Sequence, residues 1–122
     1  MIKQYFIVLL SVILFYTGNA QESPNFDLFK GEEKLEALKT YLQNNQNDTQ
    51  KALLSLCSKG LLIAKEDNDP LFEVTFLRLK GALFLAKKQT DSALFTLEAG
   101  LKKAKKKVYK DEIGEINGLL GK

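Results

Sequence analysis

Two stretches of the chain have similar sequences. The first copy, TQKALLSLCSKGLLIAK, runs from Thr49 to Lys65, and the second, TDSALFTLEAGLKKAK, runs from Thr90 to Lys105. The first halves of the two copies align at an offset of 41 positions, and the second halves, from Gly60 and Gly100, align at 40. Such a period is typical of stacked helical-repeat proteins, in which each unit buries its apolar face against its neighbours. The repeat therefore predicts an all-α fold.

The first twenty residues have the layout of a secretory signal peptide. Lys3 supplies a positive charge, an apolar run extends from Phe6 to Tyr16, and small residues lead to a cleavage position after Ala20. The run is shorter than the roughly 18 residues of a spanning helix, so an uncleaved anchor is the weaker alternative. We predict a signal peptide at 1–20, a linker at 21–31 and a helical-repeat domain at 32–122, in a protein that is periplasmic or secreted.

Apolar residues at three- and four-residue spacing predict five helices after the linker. They cover Glu32 to Asn44, Thr49 to Glu66, Pro70 to Lys87, Thr90 to Lys107 and Lys110 to Lys122. The third helix is apolar on two sides, so we expect it to lie between neighbours. Asp69 is the predicted N-cap of the third helix, with Pro70 at its first position, and Thr90 is the predicted N-cap of the fourth.

Several classes of chemistry are excluded by residue usage. The chain has no histidine, which excludes Ser-His-Asp and Cys-His catalysis and histidine-ligated zinc within it. The single cysteine, Cys57, cannot form an internal disulfide, and it is better explained as a core residue than as a nucleophile. The sequence also lacks a glycine-rich phosphate loop. We therefore predict no enzymatic activity, cofactor, metal or small-molecule substrate.

The charge of the chain gives no sign of a polyanion partner. The formal net charge is +3, and it falls to +2 when Lys3 is removed with the signal peptide. We therefore predict no nucleic-acid partner. One lysine cluster lies near the end of the fourth helix, at positions 102, 103, 105, 106, 107 and 110. A solvated face beside the negative end of the helix dipole is the simpler interpretation, and a polyanion or membrane-surface site is the alternative.

The unit from Thr75 to Lys107 resembles the tetratricopeptide repeat, in its longer bacterial form of about 40 residues. The residues that match the family's large, aromatic and small packing positions are Leu77, Gly81, Phe84, Ala93, Leu97 and Gly100, and the first unit keeps Ala52 and Leu56. Two departures are Lys80, where the family favours leucine, and the lack of a proline near Lys105. The resemblance implies an α-solenoid of antiparallel helix pairs, with about two repeats and an unpaired C-terminal helix.

By this resemblance, the first helix of each unit lines a concave groove that binds a partner. The register then assigns to the groove Lys34, Ala37, Tyr41 and Asn44 from the first unit, and Thr75, Arg78, Ala82 and Leu85 from the second. Arg78 is the only arginine, and a guanidinium can bind a carboxylate through two parallel hydrogen bonds. The alternatives for Arg78 are a solvated side chain or an ion pair with Glu73 or Glu112.

These observations predict an exported, non-catalytic module that binds a peptide or protein segment in a shallow groove. The alternative is the sensory N-terminal fragment of a bacterial signal-transduction protein, such as a histidine kinase or a LuxR-type regulator. The fifth helix has no partner after it, and Ile113, Ile116 and Leu120 need cover. Because burying such side chains is worth roughly 1.5 to 3 kcal/mol each, we also expect self-association through residues 113–120 or a partner fitted there.

Overall fold

The computed structural model describes residues 25–45 and 51–121, and the regular structure of these residues is entirely helical. A 3-10 turn at Phe26–Leu28 precedes five α-helices: α1 (Glu32–Asn44), α2 (Lys51–Glu66), α3 (Pro70–Ala86), α4 (Thr90–Lys107) and α5 (Lys110–Leu120). The predicted all-α class is confirmed. The predicted signal peptide lies outside the described residues, as do residues 21–24 and 46–50. No helix within the described ranges is long and apolar enough to cross a membrane.

The predicted start of α3 is confirmed, and the predicted cap of α4 is wrong by one residue. Asp69 accepts a hydrogen bond from the backbone N of Phe72 at 3.2 Å, and Pro70 takes the first helical position, where its missing N–H is not needed. In α4, Thr90 is already helical and Gln89 precedes it without a side-chain cap. The Gln89 N–H instead closes the end of α3 by donating to the carbonyl of Phe84 at 2.9 Å.

The same turn joins α2 to α3, α3 to α4 and α4 to α5. Asn68, Lys88 and Val108 each have a left-handed backbone, with φ of 53°, 60° and 59°. The residue after each one donates to the carbonyl five positions earlier, at 2.8 to 2.9 Å. This is the hydrogen-bond pattern with which a left-handed residue satisfies the last carbonyls of a helix. The helix-and-turn unit thus recurs every 20 residues along this part of the chain, half of the sequence repeat.

Helix α3 is the centre of the packing, because it contacts all four other helices. One side of α3 joins a core cluster with α1 and α2 through Phe72, Phe76, Leu79 and Leu83. From the other side, Val74 packs with Leu97, Leu101, Ala104 and Ile116 of α4 and α5. The predicted position of this helix between neighbours is confirmed. Its two apolar sides divide the interior into two clusters, one on each side of α3.

Glycines lie where α2 and α4 meet the next helix. A Cβ added to Gly60 would lie 2.5 Å from Cε1 of Phe76, which is too close for two carbon atoms. Forty residues later, a Cβ on Gly100 would lie 3.4 Å from Cδ1 of Ile116. Phe76 and Ile116 are both completely buried. The contact between α2 and α3 therefore recurs between α4 and α5 with the period of the sequence repeat.

The structural offset between α2 and α4 is 40 residues throughout, without the one-residue slip that the sequence alignment suggests. At this offset buried residues match buried residues: Leu53 with Ala93, Cys57 with Leu97, Gly60 with Gly100, and Ala64 with Ala104. The predicted packing residue Ala52 is exposed, because Leu53 takes the inward position. Ala93, which the sequence alignment pairs with Ala52 at an offset of 41, is buried. Only one of these two alanines therefore fills a packing position.

Helix α5 has partners within the chain, so the prediction of an unpaired C-terminal helix is wrong. It contacts α4 and α3, and Ile116 is 0% exposed. Ile113 and Leu120 are partly buried against the same cluster. Ile116 fits into the space beside Gly100. This contact with α4 buries the apolar side chain for which the sequence indicated no neighbour. The outward face of α5 consists of small and polar residues, among them Gly114, Glu115 and Gly118.

The second half of the predicted linker belongs to the folded domain. Phe26 and Phe29 are 4% and 6% exposed and lie in the core cluster formed by α1, α2 and α3. The ring of Phe26 meets the ring of Tyr41 edge to face, with centroids 5.6 Å apart. The segment therefore packs against α1 instead of forming a separate linker.

Candidate functional site: a cleft at three helix starts

A cleft of about 400 Å³ opens between α1, α3 and α5. It is lined by Glu32, Glu36 and Lys39 of α1, by Leu71, Phe72 and Thr75 of α3, and by Tyr109, Lys110, Asp111 and Glu112 at the start of α5. All three helices contribute residues of their first turns, so their N-terminal ends lie side by side. The volume falls within the range of roughly 300 to 1,000 Å³ that is usual for ligand sites.

The apolar part of the cleft comes from α3. Leu71 is 46% exposed although it is a large aliphatic side chain. Next to it, Phe72 is buried in the core and also lines the cleft. The ammonium group of Lys39 lies over the Phe72 ring, 5.8 Å from the centroid, and 3.7 Å from a carboxylate oxygen of Glu36. An aromatic surface and an exposed leucine thus adjoin charged side chains.

A buried polar network joins α3 to α5 at the edge of the cleft. Arg78 donates from Nε to Oε2 of Glu112 at 2.7 Å and from Nη2 to Oε1 at 3.3 Å. The Thr75 hydroxyl lies 3.1 Å from the same Oε1 and 2.9 Å from the carbonyl of Leu71. The side chains of Arg78 and Glu112 are only 9% and 12% exposed. The network compensates the charge of Glu112 and fixes the start of α5 against α3.

The predicted groove residues do not form one surface. Thr75 lines the cleft, and Arg78 lies beside it in the ion pair with Glu112, which is one of the alternatives that the sequence left open. Lys34 pairs with Asp27 of the N-terminal segment at 3.1 Å, and Tyr41 packs against Phe26. The segment at Phe26–Leu28, whose structure the sequence did not predict, therefore adjoins two of the eight residues assigned to the groove.

The other predicted groove positions lie away from the cleft. Asn44 is exposed at the end of α1, and Leu85 packs partly buried against the cluster of α4 and α5. The two alanines in the same register, Ala37 and Ala82, are buried, at 0% and 8% exposure. On α1, the residues that line the cleft are Glu32, Glu36 and Lys39, which lie on a different face of the helix from Lys34 and Tyr41.

Sequence reasoning missed the acidic and aromatic lining, although a signal for it was present. The predicted helix starts at Glu32, Pro70 and Lys110 are the observed ones. The first turns of the first, third and fifth helices line the same cleft. The residues of those first turns were therefore the ones to examine together.

The other packing predictions are largely reflected in burial. Gly81, Ala93, Leu97 and Gly100 are buried, while Leu77, Phe84 and Leu56 are partly buried. Gly81 is the closest contact of this set, since a Cβ there would lie 2.4 Å from Cδ2 of Leu97. The side chain of Leu77 faces Gly100, with its Cβ 3.3 Å from the position of an added glycine Cβ.

Other reactive or charged groups lie outside the cleft. Burial raises the pKa of the Cys57 thiol to about 12, so this thiol is protonated and inert in the native protein. The clustered lysines at 102, 103, 105, 106, 107 and 110 are exposed, and Lys103 pairs with Glu73 at 2.6 Å. Within the described ranges, no group of three or more cysteine, aspartate or glutamate side chains could hold a metal ion.

A second cleft, also about 400 Å³, lies between the turn from α2 to α3 and the end of α4. Its lining includes Asn68, Asp69, Pro70 and Glu73, and no aromatic side chain. This cleft therefore offers less apolar surface than the first. It also offers less available polar surface, because the carboxylate of Glu73 already pairs with Lys103.

Comparisons with family models, with curated proteins and with solved structures found no significant match to the chain.

Proposed function

We propose that this chain is an exported, non-catalytic helical-repeat module, similar to the tetratricopeptide repeats, that binds a segment of a peptide or protein partner. The site of binding is the cleft between α1, α3 and α5. The proposed architecture is an α-solenoid in which the odd-numbered helices form one layer and α2 and α4 the other. Export rests on the signal-like first twenty residues, and the binding role rests on the cleft.

The observation that carries the proposal is the shared lining of the cleft by three helix starts. Helix α1 contacts α3, and α3 contacts α5, so alternate helices of the chain are neighbours. Stacked helical repeats present alternate helices on one extended surface, where partner segments bind. Leu71 gives this surface an exposed apolar anchor, and the carboxylates around it supply polar contacts for orientation.

The alternative function, the sensory N-terminal fragment of a histidine kinase or LuxR-type regulator, has lost one of its two supports. It rested on the family resemblance and on a fifth helix without a partner. Since Ile116 is fully buried against α4, only the resemblance remains. Self-association through residues 113–120 is likewise weakened as a proposal, because the exposed residues of α5 include Gly114, Glu115 and Gly118 and no large apolar side chain.

Partner capture with two matched leucine variants tests the proposal. Leu71 lies in the cleft, and Leu62, on α2, is similarly exposed at 58% but lines neither cleft. Proteins are captured from the envelope and culture fractions of the source cells with the wild type, with Leu71→Ala and with Leu62→Ala. We expect Leu71→Ala to weaken capture at least fivefold, since losing an apolar anchor costs about 1 kcal/mol or more.

Capture by Leu62→Ala should equal that of the wild type. Thermal unfolding of both variants provides the control for folding, because each removes an exposed side chain from a helix. A partner that is lost equally from both variants, or retained by both, would contradict binding in the cleft.

A further inference from the structure

A cationic side chain of the protein itself, that of Lys39, already lies in the cleft. The Lys39 ammonium lies over the Phe72 ring at 5.8 Å from the centroid, beside the Glu36 carboxylate at 3.7 Å. We propose that Lys39 occupies the place of a lysine or arginine side chain of the partner, and that the cleft recognises such a cationic side chain on Phe72. This inference rests on the proposed function of the cleft and specifies the chemistry of its partner.

The geometry of Lys39 supports a replaceable occupant. Its side chain is 31% exposed, so the ammonium group can leave the ring without the helix moving. The pair with Glu36 is between residues three apart on one helix, and exposed pairs of this kind are weak. The face of an aromatic ring attracts a cation more strongly when water is excluded. A partner that covers the cleft excludes water there, which favours an incoming cation over the solvated lysine.

The charges around Phe72 also favour a cation over an anion. Carboxylates line the cleft from two helices, at Glu32, Glu36 and Asp111, while Arg78 compensates the charge of Glu112. Each helix start carries a partial positive charge that would otherwise attract an anion. At α3 this charge is already met by the carboxylate of Asp69, which caps the helix, and at α5 by acidic residues within the first turn. An incoming carboxylate would therefore meet several like charges at the rim.

Lys110 and Arg78 do not reverse this preference. The Arg78 guanidinium is committed to Glu112 through two hydrogen bonds, and its side chain is only 9% exposed. Lys110 is exposed at the rim, as are Glu32 and Asp111, and the carboxylates outnumber it there. The apolar neighbour of the cation site is Leu71, so the matching partner segment carries a lysine or arginine next to a large aliphatic residue.

Nuclear magnetic resonance titration of the full ¹⁵N-labelled chain tests this inference with two matched peptide probes. One is acetyl-Gly-Leu-Lys-Leu-Lys-Gly-amide, and the other has glutamine in place of both lysines. We expect the lysine peptide to shift the amide signals of Leu71, Phe72 and Asp111 saturably, with an affinity at least tenfold above that of the glutamine peptide.

A variant that removes the internal occupant gives the sharper result. Lys39→Ala should bind the lysine peptide at least threefold more tightly than the wild type, because the probe no longer competes with Lys39 for the Phe72 ring. Lys102→Ala, which removes one exposed lysine from α4, is the charge-matched control and should leave the affinity unchanged. Weaker binding by Lys39→Ala would overturn the proposal that Lys39 stands in for the partner.

The outcomes separate this inference from the proposed function. Equal binding of both peptides in the cleft overturns the preference for a cation and leaves the cleft as a binding site. If neither peptide shifts the signals while partner capture still depends on Leu71, the inferred preference for a cationic side chain is overturned. The proposed function of the cleft is not affected by that result. If partner capture does not depend on Leu71, the proposed function is contradicted and this inference is contradicted with it.

Discussion

Arg78 on α3 and Glu112 on α5 form a two-point ion pair across 34 residues of sequence, with the shorter bond at 2.7 Å. Both side chains are about nine-tenths buried. The pair closes one edge of the cleft, since Glu112 lines it and Thr75 approaches the same carboxylate. The attachment of α5 to the rest of the fold thus combines this polar contact with the buried Ile116.

Removing one member of this pair should cost more than removing both. Glu112→Ala leaves the buried guanidinium uncompensated, and we expect the free energy of unfolding to fall by about 3 kcal/mol. Adding Arg78→Met to this variant should restore most of the loss, because an apolar side chain can occupy the site without a partner. Urea unfolding of both single variants and the double variant measures this cycle. The more exposed pair of Lys39 with Glu36 is the control, and Lys39→Ala should cost only about 0.5 kcal/mol.

The close approach of α3 and α4 at Gly81 should make a single methyl group destabilising. A Cβ there would lie 2.4 Å from Cδ2 and 2.5 Å from Cγ of Leu97, which is completely buried. We expect Gly81→Ala to lower the free energy of unfolding by about 1 to 3 kcal/mol. Gly114→Ala is the matched control, since nothing lies within 4 Å of an added Cβ and alanine favours a helix. That variant should gain about 0.5 to 1 kcal/mol, and a gain for Gly81→Ala as well would contradict the packing described here.

Val108 is a β-branched residue in the left-handed conformation, at φ 59°, between α4 and α5. Such a backbone costs about 1 to 2 kcal/mol for an L-residue, and the side chain is 65% exposed, so it contributes little burial in return. We expect Val108→Gly to raise the free energy of unfolding by about 1 kcal/mol. The equivalent turn residue Asn68 tolerates this conformation, so Asn68→Gly should change it by less than about 0.5 kcal/mol. If thermal unfolding gave the same gain in free energy of unfolding for Val108→Gly and Asn68→Gly, Val108 would not be strained.

The N-terminal segment should make stability depend on acid pH. The hydrogen bond from Lys34 and the charge of Lys59 lower the pKa of Asp27 below its ordinary value of 3.8. A lowered pKa means that Asp27 contributes its full stability above pH 3.8 and loses it as the pH falls through the lowered value. The difference in unfolding midpoint between the wild type and Asp27→Asn should therefore be largest near neutral pH and should shrink as the pH falls below 3.8. A difference independent of pH would contradict the ionic origin of the contact.

The helices could be predicted from sequence because their signals are local. Apolar spacing, the Asp69-Pro70 start and the polar turns fixed the helix bounds to within about two residues over the described ranges. The central position of α3 followed from its two apolar sides. The cover on α5 could not be predicted in this way, because it depends on the space that Gly100 leaves for Ile116 in three dimensions.

The site was less predictable, because it depends on which helix faces meet. The alignment offset of 41 residues paired Lys34 with Thr75 as groove positions. In the structure, however, Lys34 forms an ion pair with Asp27 of the N-terminal segment, which the sequence did not predict. The ion pair of Arg78 with Glu112 was one of several open alternatives, and nothing in the sequence chose between Glu73 and Glu112. Only the packed structure brings the three helix starts together as one cleft.

The most direct test of the account is site-specific photocrosslinking in the cells from which the chain comes. A photoreactive phenylalanine analogue replaces Leu71 in the cleft or, in a matched experiment, Leu62 on α2, since both side chains are exposed. We expect a discrete partner adduct from position 71 after illumination and none from position 62. An adduct from position 62 alone, or equal adducts from both positions, would contradict the claim that the cleft at the three helix starts binds the partner.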